Sequence, residues 1–154
     1  MKGRDYEGRG IVNDMIEGCG TVVDRAVAVT AIREVCRYFG GQLVYIPAGK
    51  TTGETTEELR GVLRDAAGDP DGDRMLAKLM ALYGGYQIYI PREERAFRRL
   101  IAREVYEKYT GTRASRAALC REYHTTYNTV YALYRAGRDE KAQMKFPFAE
   151  DEDG

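Results

Sequence analysis

The octapeptide Gly40-Gly41-Gln42-Leu43-Val44-Tyr45-Ile46-Pro47 returns 44 residues later as Gly84-Gly85-Tyr86-Gln87-Ile88-Tyr89-Ile90-Pro91, with five of eight positions identical. A recurrence at such a period marks an internal structural repeat. Each copy reads as a helix stop at the paired glycines, then a short β-branched and aromatic strand closed by a proline that cannot extend a ladder. A lone strand leaves its edge unsatisfied and a two-stranded ribbon is marginal in water. Each copy therefore needs a partner, either within the chain or across the symmetry axis of a dimer.

Helical periodicity fills the spaces between these strands. From Ile11 to Phe39 apolar residues recur at helical spacing, most clearly at Val22, Val23, Ala26, Val27, Ala31, Ile32, Val35 and Cys36. Gly18 and Gly20 break a shorter helix off the front. Ala48 to Thr56 reads as a Gly/Thr loop, Glu57 to Ala67 as a helix, and residues 68–72 (Gly-Asp-Pro-Asp-Gly) as a turn. Arg74 to Tyr83 is a further helix. The predicted fold is mainly α with a small β element.

Beyond the second strand the pattern is helical throughout. Pro91 to Tyr109 reads as one long helix, with Glu93 and Glu94 in its first turn and Gly111 behind it. Ser115, as N-cap, opens a short helix to Tyr123. After a break at His124-Thr125, a third helix runs from Thr125 or Thr126 to about Ala136, stopped by Gly137. Leu119, Tyr123, Val130 and Leu133 stand where two short helices lock at a steep angle, with the small Cys120 at their approach. His124 replaces the glycine common in such turns, and histidine visits the left-handed region more readily than most residues. Thr125 replaces a β-branched apolar residue.

The third helix then has Thr126, Tyr127, Asn128, Thr129, Tyr131 and Arg135 on its outer side. Asn can make a bidentate contact to adenine, Arg to guanine, and Thr can meet a thymine methyl. Arg113, Arg116, Arg121, Arg138 and Lys141 lie around them, suited to phosphates. Tyr106, Tyr109, Tyr123 and Tyr134 read as core or half-buried, with Tyr127 and Tyr131 as exceptions. A plain three-helix bundle with a polar face is the other reading of the same pattern.

Charge supports an anionic partner for this segment. Net charge is zero, yet residues 92–145 hold 13 Lys and Arg against 7 Asp and Glu. Residues 1–91 hold 11 against 13, and residues 146–154 hold four acidic side chains alone. A basic segment between neutral and acidic ones is where an anionic partner would bind.

Other chemistry finds little footing. Three cysteines, Cys19, Cys36 and Cys120, form no CxxC pair, and His124 is the single histidine. That argues against a disulfide framework, a zinc site and a multi-histidine metal centre. Catalytic residues, cofactors and metals are not expected, and Cys120 reads as packing. No apolar run nears the roughly 20 residues of a membrane span, and no h-region opens the chain, so a cytoplasmic location is expected.

The chain resembles the Mor/C transcription activators of Mu-like phages and prophages. The resemblance rests on the strand unit at residues 84–91, the arginine-rich helix after it, and Lys108-Tyr109-Thr110-Gly111. It continues through Ala118-Leu119-Cys120-Arg121-Glu122-Tyr123 and Asn128-Thr129-Val130-Tyr131. It covers roughly residues 73–137 and implies a homodimer that binds a two-part site upstream of a promoter and recruits host RNA polymerase.

By composition residues 1–10 are a flexible arm and 141–154 an acidic tail, by spacing 92–140 are a helix-turn-helix DNA-binding domain, and the resemblance makes 11–91 a dimerisation region. The DNA-contacting set is Arg113, Ser115, Arg116, Thr125, Thr126, Tyr127, Asn128, Thr129, Tyr131 and Arg135. The resemblance adds Gly84, Gly85, Gln87 and Tyr89 of the strand linker as residues that position double-stranded DNA. In the first copy Gln42 comes one residue early, on the opposite strand face, so the linker role is carried to the second copy alone. The duplicated strand departs from the family's single copy, and leaves open whether the two strands pair within or between chains. Two other readings stay beside this one: an accessory factor for recombination or DNA packaging, and an assembly protein that binds no DNA.

Overall fold

The computed structural model describes residues 10–49 and 53–145. The terminal arm through Arg9 and the acidic residues 150–153 lie outside the described residues. The described chain is mainly α with a small antiparallel β element, and it forms two compact units, residues 10–97 and 98–145.

In the first unit, α1 (Ile11–Cys19) and α2 (Arg25–Phe39) lead into β1 (Gln42–Tyr45). Then α3 (Glu54–Ala67) and α4 (Asp69–Tyr83) lead into β2 (Gln87–Ile90), followed by the single turn α5 (Glu93–Ala96). The two strands pair with each other inside the chain, antiparallel, with Gln42 opposite Ile90 and Tyr45 opposite Gln87. Val44, Ile46 and Ile90 turn inward and are buried with Met15, Ile16, Ile32, Val35, Leu63, Met75 and Leu79. The other ribbon face stays open: Leu43, Tyr45 and Tyr89 are all at least half exposed.

Several sequence-based boundaries move, each for a local reason. The Gly-Asp-Pro-Asp-Gly stretch is the start of α4, because Gly68 supplies a positive φ of 89° and Pro70 fits the first helical turn. Gly72 is buried within that helix, where a Cβ would lie 2.8 Å from the Arg64 backbone. Likewise α3 starts at Glu54, so Thr56 is a buried helical residue and no part of a loop. The long helix expected from Pro91 breaks at Phe97 (φ −116°, ψ 29°), whose side chain is fully buried.

A charged clamp holds α5. Glu93 accepts hydrogen bonds from Arg33 and, at 2.7 Å, from Arg37 of α2, with only 15% of the Glu93 side chain exposed. Burial pushes its carboxyl up, but the hydrogen bonds and charges of Arg37 and Arg33 outweigh burial and hold it below the ordinary value of 4.5. A carboxylate with a lowered folded-state pKa stabilises the fold above that ordinary value, and its contribution is lost as pH falls through the lowered one. Glu93→Gln is expected to cost about 2 kcal/mol at neutral pH, the scale of hydrogen bonds to charged groups. Urea denaturation at pH 7 and near pH 3 checks this. The gap between wild type and variant should shrink in acid, and an unchanged gap would count against the clamp.

In the second unit, α6 (Arg98–Lys108), α7 (Arg113–Glu122) and α8 (Tyr127–Lys145) pack around Ile101, Ala102, Val105, Leu119, Val130 and Leu133. The expected stop at Gly137 is absent, and residues 141–145 are helix where a tail is expected. Gly137 serves close packing instead: a Cβ there would lie 2.8 Å from that of Tyr106 and against the Ala102 carbonyl.

Candidate nucleic-acid interface

Two capped helices and a tight turn position the polar surface of the second unit. At the start of α7, Thr112 is the N-cap, its hydroxyl accepting from the Ser115 amide at 3.1 Å. Ser115, expected as the cap, lies three residues inside and returns a hydrogen bond from its hydroxyl to the Thr112 carbonyl at 3.0 Å. The difference is one helical turn, and it places Arg113 at the first helical position. At the start of α8, Thr126 accepts from the Thr129 amide at 3.3 Å.

Between them, Thr125 donates its amide to the Cys120 carbonyl at 3.0 Å, and His124 adopts φ 51°. His124 is the one non-glycine residue with positive φ among the described residues, as its position in the sequence predicts. Leu119 of α7 and Val130 and Leu133 of α8, on either side of the turn, are buried. Tyr123 braces it from the side, donating to Glu104 at 2.9 Å while its oxygen accepts from Lys108 at 3.1 Å.

This scaffold leaves one stripe of α8 open. Tyr127 and Tyr131 are 45% and 47% exposed, and Asn128 and Arg135 are exposed on the same side. Residues 128, 131 and 135 follow three-four spacing, so their side chains share a face. The aromatic stack of Tyr106, Tyr109 and Tyr134, all half-buried, supports the stripe from within, with Tyr109 edge-on to Tyr131 at 6.3 Å. The Arg116 guanidinium lies 5.2 Å over the Tyr127 ring, which fixes both side chains. Thr126 is exposed, whereas Ser115, Arg116, Thr125 and Thr129 are half-buried.

The basic residues around the stripe divide into two groups. Arg113, Arg121 and Arg135 are exposed and make no ion pair among the described residues, so their charge is available to an outside anion. Arg138 pairs with Asp139 at 3.3 Å, and Lys141 pairs with Glu107 at 3.6 Å while lying over Tyr106. These two are partly neutralised within the unit.

The ribbon residues belong to the first unit. Gln87, Tyr89 and Gly85 are exposed and Gly84 is half-buried. Leu43 lies opposite Tyr89 and Tyr45 opposite Gln87, so the open face carries two residues of each copy. The two from the first copy, Leu43 and Tyr45, are set there by the alternation of β1, which puts Gln42 and Val44 on the other face.

No group of three or more His, Cys, Asp and Glu among the described residues could hold a metal ion, and no described helix is long and apolar enough to cross a membrane. Burial pushes the Cys19 thiol up to about 11 and the Cys36 thiol to about 12, so both are unreactive packing groups.

A family model, the Mor transcription activator family, matches residues 50–146, well over half of the chain. The chain belongs to the Mor transcription activator family. The matched span holds the second helix–strand repeat together with α5 to α8, and leaves the first repeat outside it. Mor proteins are transcription activators, a class defined by regulation rather than by catalysis. No curated protein and no solved structure matches the chain.

Proposed function

We propose that this Mor-family protein is a phage or prophage activator that reads a promoter-proximal DNA site with the α7–turn–α8 pair and recruits host RNA polymerase. The observation that carries the reading is the exposed stripe of Tyr127, Asn128, Tyr131 and Arg135, free of carboxylates and flanked by the unpaired Arg113 and Arg121. A helix presenting Asn and Arg on one face fits the major groove, where those side chains distinguish adenine and guanine by bidentate hydrogen bonds. Arg113 and Arg121 reach backbone phosphates, which set orientation and carry the salt dependence. Gln87 and Tyr89 on the ribbon act as a further DNA-positioning element, as the resemblance implies.

The experiment is enrichment of a random duplex library on the purified protein, followed by a bacterial reporter with the enriched motif upstream of a weak promoter. An enriched motif and raised transcription are expected. A motif whose occupancy leaves transcription unchanged would favour a recombination or packaging factor, and the absence of any motif would remove sequence-specific reading.

A further inference from the structure

The first unit is built on an internal twofold axis. At an offset of 44 residues α2 (Arg25–Phe39) maps onto α4 (Asp69–Tyr83) end to end, and α1 maps onto α3. Burial follows the same mapping. Val12, Met15 and Cys19 correspond to Thr56, Leu59 and Leu63, while Ala31, Ile32 and Val35 correspond to Met75, Leu76 and Leu79; all twelve are buried.

The axis passes through the strand pair, where Val44 lies opposite Ile88, its own counterpart in the other repeat. The flanking hydrogen bonds repeat too. Gly41 donates to the Ile90 carbonyl and Gly85 to the Ile46 carbonyl, both at 2.7 Å. Gly41 and Gly85 share positive φ, 83° and 88°. A Cβ on Gly40 would meet the Pro91 carbonyl, and one on Gly84 the Pro47 carbonyl, each at 3.3 Å. This is the isologous geometry of a twofold dimer, in which each contact occurs twice, realised inside one chain.

One feature breaks the symmetry. Arg33 and Arg37 on α2 clamp Glu93, where the chain leaves β2 for α5. Their counterparts under the axis are Ala77, Ala81 and Gly49. The second repeat therefore has nothing with which to hold a Glu93, and a second copy of that repeat could not replace the first.

We propose that residues 11–47 are a built-in partner: a copy of the fold's pairing half that occupies, within the same chain, the seat of a second subunit, and that has specialised to anchor α5 where the chain leaves β2. The strand pair is closed in cis, and no second chain completes it. One consequence rests on the proposed function: each ribbon then serves a single DNA-reading unit.

Disulfide trapping in the full chain tests this without any DNA. Ile46 donates to the Tyr86 carbonyl, so the alternation of the ladder puts Leu43 and Tyr89 in a close, non-hydrogen-bonded site suited to a disulfide. Both side chains are exposed, so Leu43→Cys with Tyr89→Cys in a Cys120→Ser background should fold. After mild oxidation, nearly all of the protein is expected to run as a crosslinked single chain, with a yield independent of protein concentration. A covalent dimer whose yield falls on dilution would overturn the proposal, as would a failure of the two cysteines to join. A second variant, Ile88→Cys alone in the same Cys120→Ser background, should give no covalent dimer; one forming would mean that two β2 strands pair across chains.

Discussion

Replacing Gly137 by leucine is expected to unfold the α6–α7–α8 unit. In an ordinary helix interior, adding a side chain in place of glycine gains up to about 1 kcal/mol through backbone entropy. Here the gain is outweighed. Even the first added carbon would meet the Ala102 carbonyl, lie 3.0 Å from its carbon and come within 2.8 Å of the Tyr106 Cβ. Two of these neighbours are backbone atoms of α6 and cannot rotate away, so α8 must shift bodily. Overpacking of well-packed sites costs about 1–3 kcal/mol and sometimes more, which is severe for a unit of so few residues. Gly137→Ala should already be destabilising, and Gly137→Leu should abolish hydrogen-exchange protection across α6 to α8. An alanine variant that melts higher than wild type would show that the helices do not approach this closely.

The second large effect is expected on the reading face. Asn128→Ala and Arg135→Ala remove exposed side chains that brace nothing inside the unit, so the fold should be unaffected. Each is expected to weaken binding to the enriched site by about 1–3 kcal/mol, roughly 5- to 150-fold, and to relax preference at a single base pair. Binding to random duplex should change little. Arg113→Ala should do the opposite, weakening all duplexes alike and reducing the salt dependence by about one phosphate contact. If both reading variants bind the enriched site within about 1 kcal/mol of wild type, α8 is not the reader.

Much of this arrangement is legible in the sequence. The repeated Gly-Gly-strand-Pro unit locates both strands, because paired glycines and a closing proline leave few conformations open to five intervening residues. His124 is legible as a left-handed turn residue, since the helices on either side leave it nowhere else to go. The outward stripe on α8 follows from burial of Val130 and Leu133 on the opposite side. What was not legible depends on contacts between distant segments. Gly72 and Gly137 look like helix breakers locally, yet each is placed inside a helix by a neighbouring backbone passing close by. Pro70 looks like a turn residue, yet it is equally suited to a first helical turn. The strand partner could not be read either, because the ladder is identical whether the second strand comes from the same chain or another. The clamp of Glu93 by Arg33 and Arg37 spans 60 and 56 residues, beyond any local pattern.

DNA binding by the C-terminal unit is tested by fluorescence anisotropy with a random-sequence duplex, titrated with salt. Binding with a Kd on the order of 10⁻⁴–10⁻⁶ M near physiological salt is expected, tightening steeply as salt is lowered because phosphate contacts release counterions. No binding even at low salt would show that the unit is not a DNA-binding one and leave the basic segment to another partner.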